Sequence, residues 1–211
     1  MKKMRFYAIA KKILGPVLQF CMRIKIQNPE SEYKGEGGLI VCANHTHMFD
    51  CIVLGVAYMT RQVRFLAKKE LFKIPVLKNV MECLGAYGVD RGGADVGAVK
   101  KTISLLSDGA TVGIFPQGTR HPGKKIEDTK FKNGAAMAAY HAHVAVQPVF
   151  IKVKDYRYRL FRRKTVIFGE PITWEELGFS LGEHADYTRA TEIIKERILS
   201  LEANNKLNAK N

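Results

Sequence analysis

His45 and Asp50 stand five residues apart, immediately after the apolar run Leu39 to Ala43, and are suited to acid-base chemistry as a pair. A strand over that run, followed by a helix starting near Phe49, would leave His45 at a solvent-accessible turn. With Asp50 in the first helical turn, its carboxylate can reach one ring nitrogen of His45, fix the tautomer and leave the other nitrogen as a base for a hydroxyl. The carboxylate would also steady the imidazolium that forms, as in the His-Asp part of a serine-protease triad. A substrate hydroxyl would replace the serine, so transfer would be direct and no residue of the chain would be acylated. A His followed by an Asp is common by chance, and a metal reading competes. His45 and His47 form one HxH, and His141 and His143 form another. Neither has a further carboxylate or Cys at ligand spacing, so no metal is expected. His141 and His143 read instead as the end of a helix, where cationic side chains meet the dipole favourably.

A second reactive stretch follows the apolar run Thr111 to Phe115. Here Pro116-Gln117-Gly118-Thr119-Arg120 combines a ladder-stopping proline, a turn-permitting glycine and an arginine. The planar guanidinium fork suits a phosphate, so Arg120 is a candidate anion clamp. Arg91, in a Gly-rich turn, and Lys68 with Lys69, after the run Val63 to Ala67, are further cationic candidates.

These residues need a scaffold, and the chain's patterning supplies one. Strand-length apolar runs occur at Leu39 to Ala43, Val63 to Ala67, Thr111 to Phe115, Val144 to Lys152 and Thr165 to Phe168. Helix-like stretches lie at Phe49 to Met59, Pro75 to Leu84, Ala94 to Leu106, Lys132 to His141 and Asp186 to Leu201. The alternation predicts a single α/β domain with a central, mostly parallel or mixed sheet flanked by helices. Function in such sheets lies in the loops at strand ends. The 211 residues, 46% hydrophobic and 26% charged, suit one such domain. Cys21, Cys42, Cys51 and Cys83 show no CxxC spacing and read as reduced, mostly buried residues.

A net charge of +14 points to an anionic partner: nucleic acid, an anionic membrane or a phosphate-bearing substrate. No acidic residue precedes Glu30, whereas Lys2, Lys3, Arg5, Lys11, Lys12, Arg23 and Lys25 are basic. Phe6, Tyr7, Ile9, Ile13, Leu14, Val17, Leu18 and Phe20 recur at helical steps among them. Residues 1–25 are therefore expected to form a basic amphipathic helix lying in the membrane interface, with the catalytic domain over residues 26–211. The uncharged run Ile13 to Met22 is too short to cross a bilayer and lacks a signal-peptide cleavage site. A nucleic-acid partner is not expected, because no recognised nucleic-acid motif appears and the basic residues interleave with an apolar face.

Taken in order, these blocks resemble the 1-acylglycerol-3-phosphate acyltransferase family, within the wider glycerolipid acyltransferase superfamily. The NHxxxxD block is Asn44-His45-Thr46-His47-Met48-Phe49-Asp50, and the second block is Ala67-Lys68-Lys69-Glu70-Leu71-Phe72-Lys73-Ile74-Pro75 with Gly85 to Gly92. The third, FPEGTR in the family, is Phe115-Pro116-Gln117-Gly118-Thr119-Arg120, and the fourth is Val146-Gln147-Pro148-Val149. The resemblance implies His45 as general base and Asp50 as its orienting partner. It implies Lys68, Arg91 and Arg120 as phosphate-binding groups, and Gln117, Gly118 and Thr119 as the loop shaping the acceptor site. Pro148 is read as structural. The implied reaction moves an acyl group from acyl-CoA or acyl carrier protein to the sn-2 hydroxyl of lysophosphatidic acid, giving phosphatidic acid without a cofactor. Alternative acceptors are glycerol 3-phosphate, another lysophospholipid or another alcohol. The implied setting is the cytoplasmic face of the cell membrane, peripheral or monotopic, with membrane lipid and acyl carrier protein as partners. The chain departs from the family at Gln117, where Glu is usual: Gln keeps the shape but loses the charge.

Overall fold

The computed structural model describes residues 15–73, 78, 81, 85–89, 96–159, 161–181 and 184–208. Among the described residues seven strands form one sheet: β1 (Ile24–Gln27), β2 (Leu39–Ala43), β3 (Val63–Lys68), β4 (Tyr87–Val89), β5 (Thr111–Ile114), β6 (Ala145–Lys152) and β7 (Lys164–Phe168). Their spatial order is β1-β7-β6-β2-β5-β3-β4. The run from β6 to β4 is parallel throughout, while β7 pairs antiparallel with β6 and β1 pairs parallel with β7. The sheet is therefore mixed. Its C-terminal strand ends, from β2, β5 and β6, share one end with the N-terminal starts of β1 and β7.

Among the described residues, α1 (Asp50–Ala57), α2 (Val96–Ser107), α3 (Gly134–Ala142) and α4 (Tyr187–Asn208) flank the sheet. The period-two alternation of β2 assigns them to faces. Leu39, Val41 and Ala43 pack with Val53, Leu54 and Ala57 of α1. Ile40 and Cys42 face a second core built from Leu105 and Leu106 of α2, four alanines of α3, and Ala190, Ile194 and Ile198 of α4. Every residue of β2 is fully buried, which is why it reads as an unbroken apolar run rather than an alternating one. Each fully buried Leu or Ile contributes about 1.5–3 kcal/mol of transfer free energy.

The five strands and the α1, α2, α3 and α4 helices expected from patterning are present, with ends shifted by a few residues. β1 and β4 were not foreseen. Tyr87-Gly88-Val89 is short and carries a glycine, and Ile24-Lys25-Ile26-Gln27 lies where the helical period of the preceding stretch obscures it. The helical segment of the N-terminal region closes at residue 21. Arg23 then takes a positive φ of 51°, and Met22 and Ile24 enter the domain's own core. Residues 1–14, Cys83 and most of the expected Pro75 to Leu84 helix lie outside the described residues. Among the other cysteines Cys42 is buried, Cys51 partly so, and Cys21 is exposed.

Candidate active site

The site is built where β2 stops. Beyond Ala43 the chain turns away from the sheet, and Ile151 on neighbouring β6 would lose its ladder partner. Asn44 replaces it: its Oδ1 accepts the Ile151 N–H at 2.7 Å, and its Nδ2 donates to the Ile151 carbonyl at 3.0 Å. Asn44 is itself buried. The side-chain amide thus imitates one more residue of strand and fixes the point at which His45 leaves.

Asp50 is the first residue of α1, where a negative charge meets the positive end of the helix dipole. Its Oδ2 accepts from His45 Nδ1 at 2.9 Å, from the Thr46 N–H at 2.6 Å and from the His47 N–H at 2.7 Å. A carboxylate is acceptor-only, so His45 Nδ1 carries the proton and Nε2 is left with a free lone pair. Asp50 is fully buried, whereas the His45 side chain retains 18% exposure and can meet a substrate.

The loop after β5 grips His45 from the other side. Gln117 Oε1 accepts the His45 N–H at 2.6 Å, and the His45 carbonyl accepts the His121 N–H at 2.9 Å. The Phe115 ring stacks on the imidazole, with centroids 4.1 Å apart and planes inclined by 14°. Phe65 from β3 continues the stack on Phe115 at 5.8 Å. Phe65 stands opposite Gly113 in the strand register, and a methyl group at Gly113 would overlap its ring. The glycine is therefore what admits the stack.

The turn itself is closed by Gly118 N–H donating to the Phe115 carbonyl at 3.0 Å, with Pro116 at its second position. Gly118 has φ of 73°, a conformation that favours glycine. Gln117 is buried; its Nε2 donates to Thr129 Oγ1 at 2.8 Å, and that hydroxyl donates to the Ile126 carbonyl at 2.7 Å. Thr119 and Arg120 are exposed, and Thr119 Oγ1 lies 3.2 Å from His121 Nε2. Arg120 stands in the chain between Thr119 and His121, whose N–H is bonded to His45.

Of the other expected cations, Lys68 is the last residue of β3, and Arg91 lies outside the described residues. The HxH pairs do not converge. His47 stacks on Tyr158 with centroids 4.3 Å apart, and Phe49 meets the same ring edge-on. Burial and, after it, the Asp50 charge push the Tyr158 hydroxyl above its usual pKa. His143 is the C-cap of α3 and packs against Trp174, and His141 meets Tyr187. Among the described residues no group of three or more His, Cys, Asp or Glu is placed to hold a metal ion. Asn44, Phe115 and His121 sit in or beside recognisable blocks, yet their types did not announce backbone replacement or ring stacking. Thr129 carries no signal in a single sequence.

Residues 23–152, which contain His45, Asp50 and the Gln117 loop, match the family model described as Acyltransferase. The chain belongs to the acyltransferase family. It is 29% identical to the 1-acyl-sn-glycerol-3-phosphate acyltransferase of Bacillus subtilis, over 93% of this chain and 96% of that one. It is 32% identical to the Streptococcus pneumoniae protein of the same name, over 70% of this acyltransferase and 53% of that relative. The fold matches the crystal structure of the 1-acyl-sn-glycerophosphate (LPA) acyltransferase, PlsC, from Thermotoga maritima, with a TM-score of 0.68 and 26% identity. That match covers 93% of this chain and 80% of the other. Among the described residues of this acyltransferase, no helix is long and apolar enough to cross a membrane.

Proposed function

We propose that this acyltransferase moves a fatty acyl group from acyl-CoA or acyl carrier protein to the free sn-2 hydroxyl of 1-acylglycerol 3-phosphate, forming phosphatidic acid. The observation that carries the reading is the 2.9 Å bond between His45 Nδ1 and Asp50 Oδ2 in an imidazole still open to substrate. The names of the relatives, on one of which the alignment runs nearly end to end, supply the acceptor class.

In this mechanism His45 Nε2 takes the proton of the acceptor hydroxyl as its oxygen attacks the thioester carbonyl, and Asp50 steadies the imidazolium. The thiol of the donor then leaves with a proton. Arg120, Lys68 and Arg91 hold the acceptor phosphate, so that the hydroxyl meets the base already oriented. No cofactor takes part. The protein works peripherally on the cytoplasmic face of the membrane, with its acceptor drawn from the lipid.

Gln117 gives no ground for preferring another acceptor. It is buried and both ends of its amide are engaged, with His45 and with Thr129. The usual Glu at this position would accept the same His45 N–H. Assay of purified protein against lysophosphatidic acid, glycerol 3-phosphate and other lysophospholipids, with both donor types, tests the reading. Fastest turnover on lysophosphatidic acid supports it; preference for glycerol 3-phosphate would replace it.

A further inference from the structure

Everything before Glu30 is free of acidic residues, and so are residues 156–169 between Asp155 and Glu170. The second includes Arg157, Arg159, Arg162 and Arg163, all exposed, and Phe161, which is 75% exposed. The sheet brings the two stretches together. β1 and β7 run side by side with Ile24 opposite Lys164, the Lys164 N–H donates to the Arg23 carbonyl at 3.1 Å, and Arg23 Nη1 donates to the Phe161 carbonyl at 3.3 Å. Phe20, 84% exposed, precedes the same corner.

This corner lies at the active-site end. Because β1 and β7 oppose the other strands, their starts share the end at which β2 delivers His45. The β6–β7 loop also touches the site directly. Tyr158 stacks on His47, whose N–H is bonded to Asp50, and the Tyr156 carbonyl accepts the Gly123 N–H at 2.8 Å from the loop that holds Gln117.

We propose that the β6–β7 loop, with the turn before β1, is a membrane-docking surface that rests on an anionic bilayer and presents His45 to it. The proposal rests on the lipid-acceptor reading above. Exposed phenylalanines beside arginines suit the headgroup boundary, where the ring enters the apolar layer and the guanidinium meets phosphate. An acidic protein would satisfy the arginines but leaves the exposed rings unexplained. Docking here spares the acceptor a full exit from the bilayer, because the basic surface and the dyad belong to one connected loop system.

Vesicle sedimentation of the full chain tests this, using vesicles with about one-third phosphatidylglycerol against vesicles of phosphatidylcholine alone. In the triple variant Arg159→Gln, Arg162→Gln, Arg163→Gln, partition onto the anionic vesicles should fall by about tenfold or more. The corresponding triple lysine variant should keep it, and Phe161→Ser should lower it several-fold. All should melt like the parent and keep transfer to detergent-dispersed acceptor. Unchanged partition of the glutamine variant overturns the proposal, as does equal loss in the lysine variant. Retained vesicle binding with lost binding to acyl carrier protein also overturns it and assigns the surface to the donor's carrier. Partition is read without turnover, so an enzyme that proves inactive on lysophosphatidic acid would sink the acceptor reading and leave this result standing.

Discussion

Gln117 Oε1 accepts the backbone N–H of His45 at 2.6 Å, so the residue that stands where the FPEGTR block has Glu is a clamp on the proposed catalytic base. The side chain is buried between the two blocks rather than turned toward solvent. Its role is to set where His45 stands, and the acceptor oxygen that does so exists in Gln and Glu alike.

Gln117→Glu should therefore keep activity near that of the parent. The Thr129 hydroxyl, now donating to Ile126, can turn to donate to the new carboxylate. Gln117→Leu removes the acceptor and leaves the His45 N–H unpaired, and kcat should fall about 10- to 100-fold with little change in KM. Steady-state kinetics of the two variants decide it; an equal loss in both would mean that shape and oxygen are not what the site requires.

Much of this was legible in the sequence, for identifiable reasons. The His45/Asp50 spacing can be read because both residues sit in one short strand-to-helix turn, where sequence distance and spatial distance nearly coincide. β2 and β5 can be read because central strands are continuous apolar runs. Contacts between distant segments could not be read in the same way. The Gln117–Thr129 bond depends on how the loop before α3 folds back, and the Phe65–Phe115–His45 stack depends on strand order. β1 was hidden because four residues of period-two pattern directly follow a helical one.

Thr129→Val keeps the volume and deletes the hydroxyl that accepts from Gln117 Nε2. A buried amide donor left unpaired costs about 1–3 kcal/mol. Thermal denaturation should show a lower Tm for Thr129→Val and nearly none of that loss for Thr129→Ser.

Gly113→Ala places a methyl group against the Phe65 ring, which must then move from Phe115. Overpacking of this kind costs about 1–3 kcal/mol. Because Phe115 carries the imidazole, activity should fall as well as stability, and Gly113→Ala combined with Phe65→Leu should recover part of both. Failure of the second change to recover either would separate the stack from His45 placement.

Asn44→Ala removes both bonds to Ile151 and leaves a buried N–H and carbonyl without their partners. The expected destabilisation is about 2–4 kcal/mol. Chemical denaturation at fixed m-value measures it. Asn44→Asp should not restore stability, since a carboxylate cannot donate to the Ile151 carbonyl.

The dyad is tested most directly by single-turnover acyl transfer from acyl-CoA to lysophosphatidic acid by His45→Ala and Asp50→Asn proteins that melt like the parent. With His45 as the base, His45→Ala should lower the rate of the chemical step by about 10²- to 10⁴-fold. Asp50→Asn should lower it as well, because the amide no longer holds Nδ1 as the protonated nitrogen. Undiminished transfer by folded His45→Ala would contradict the mechanism.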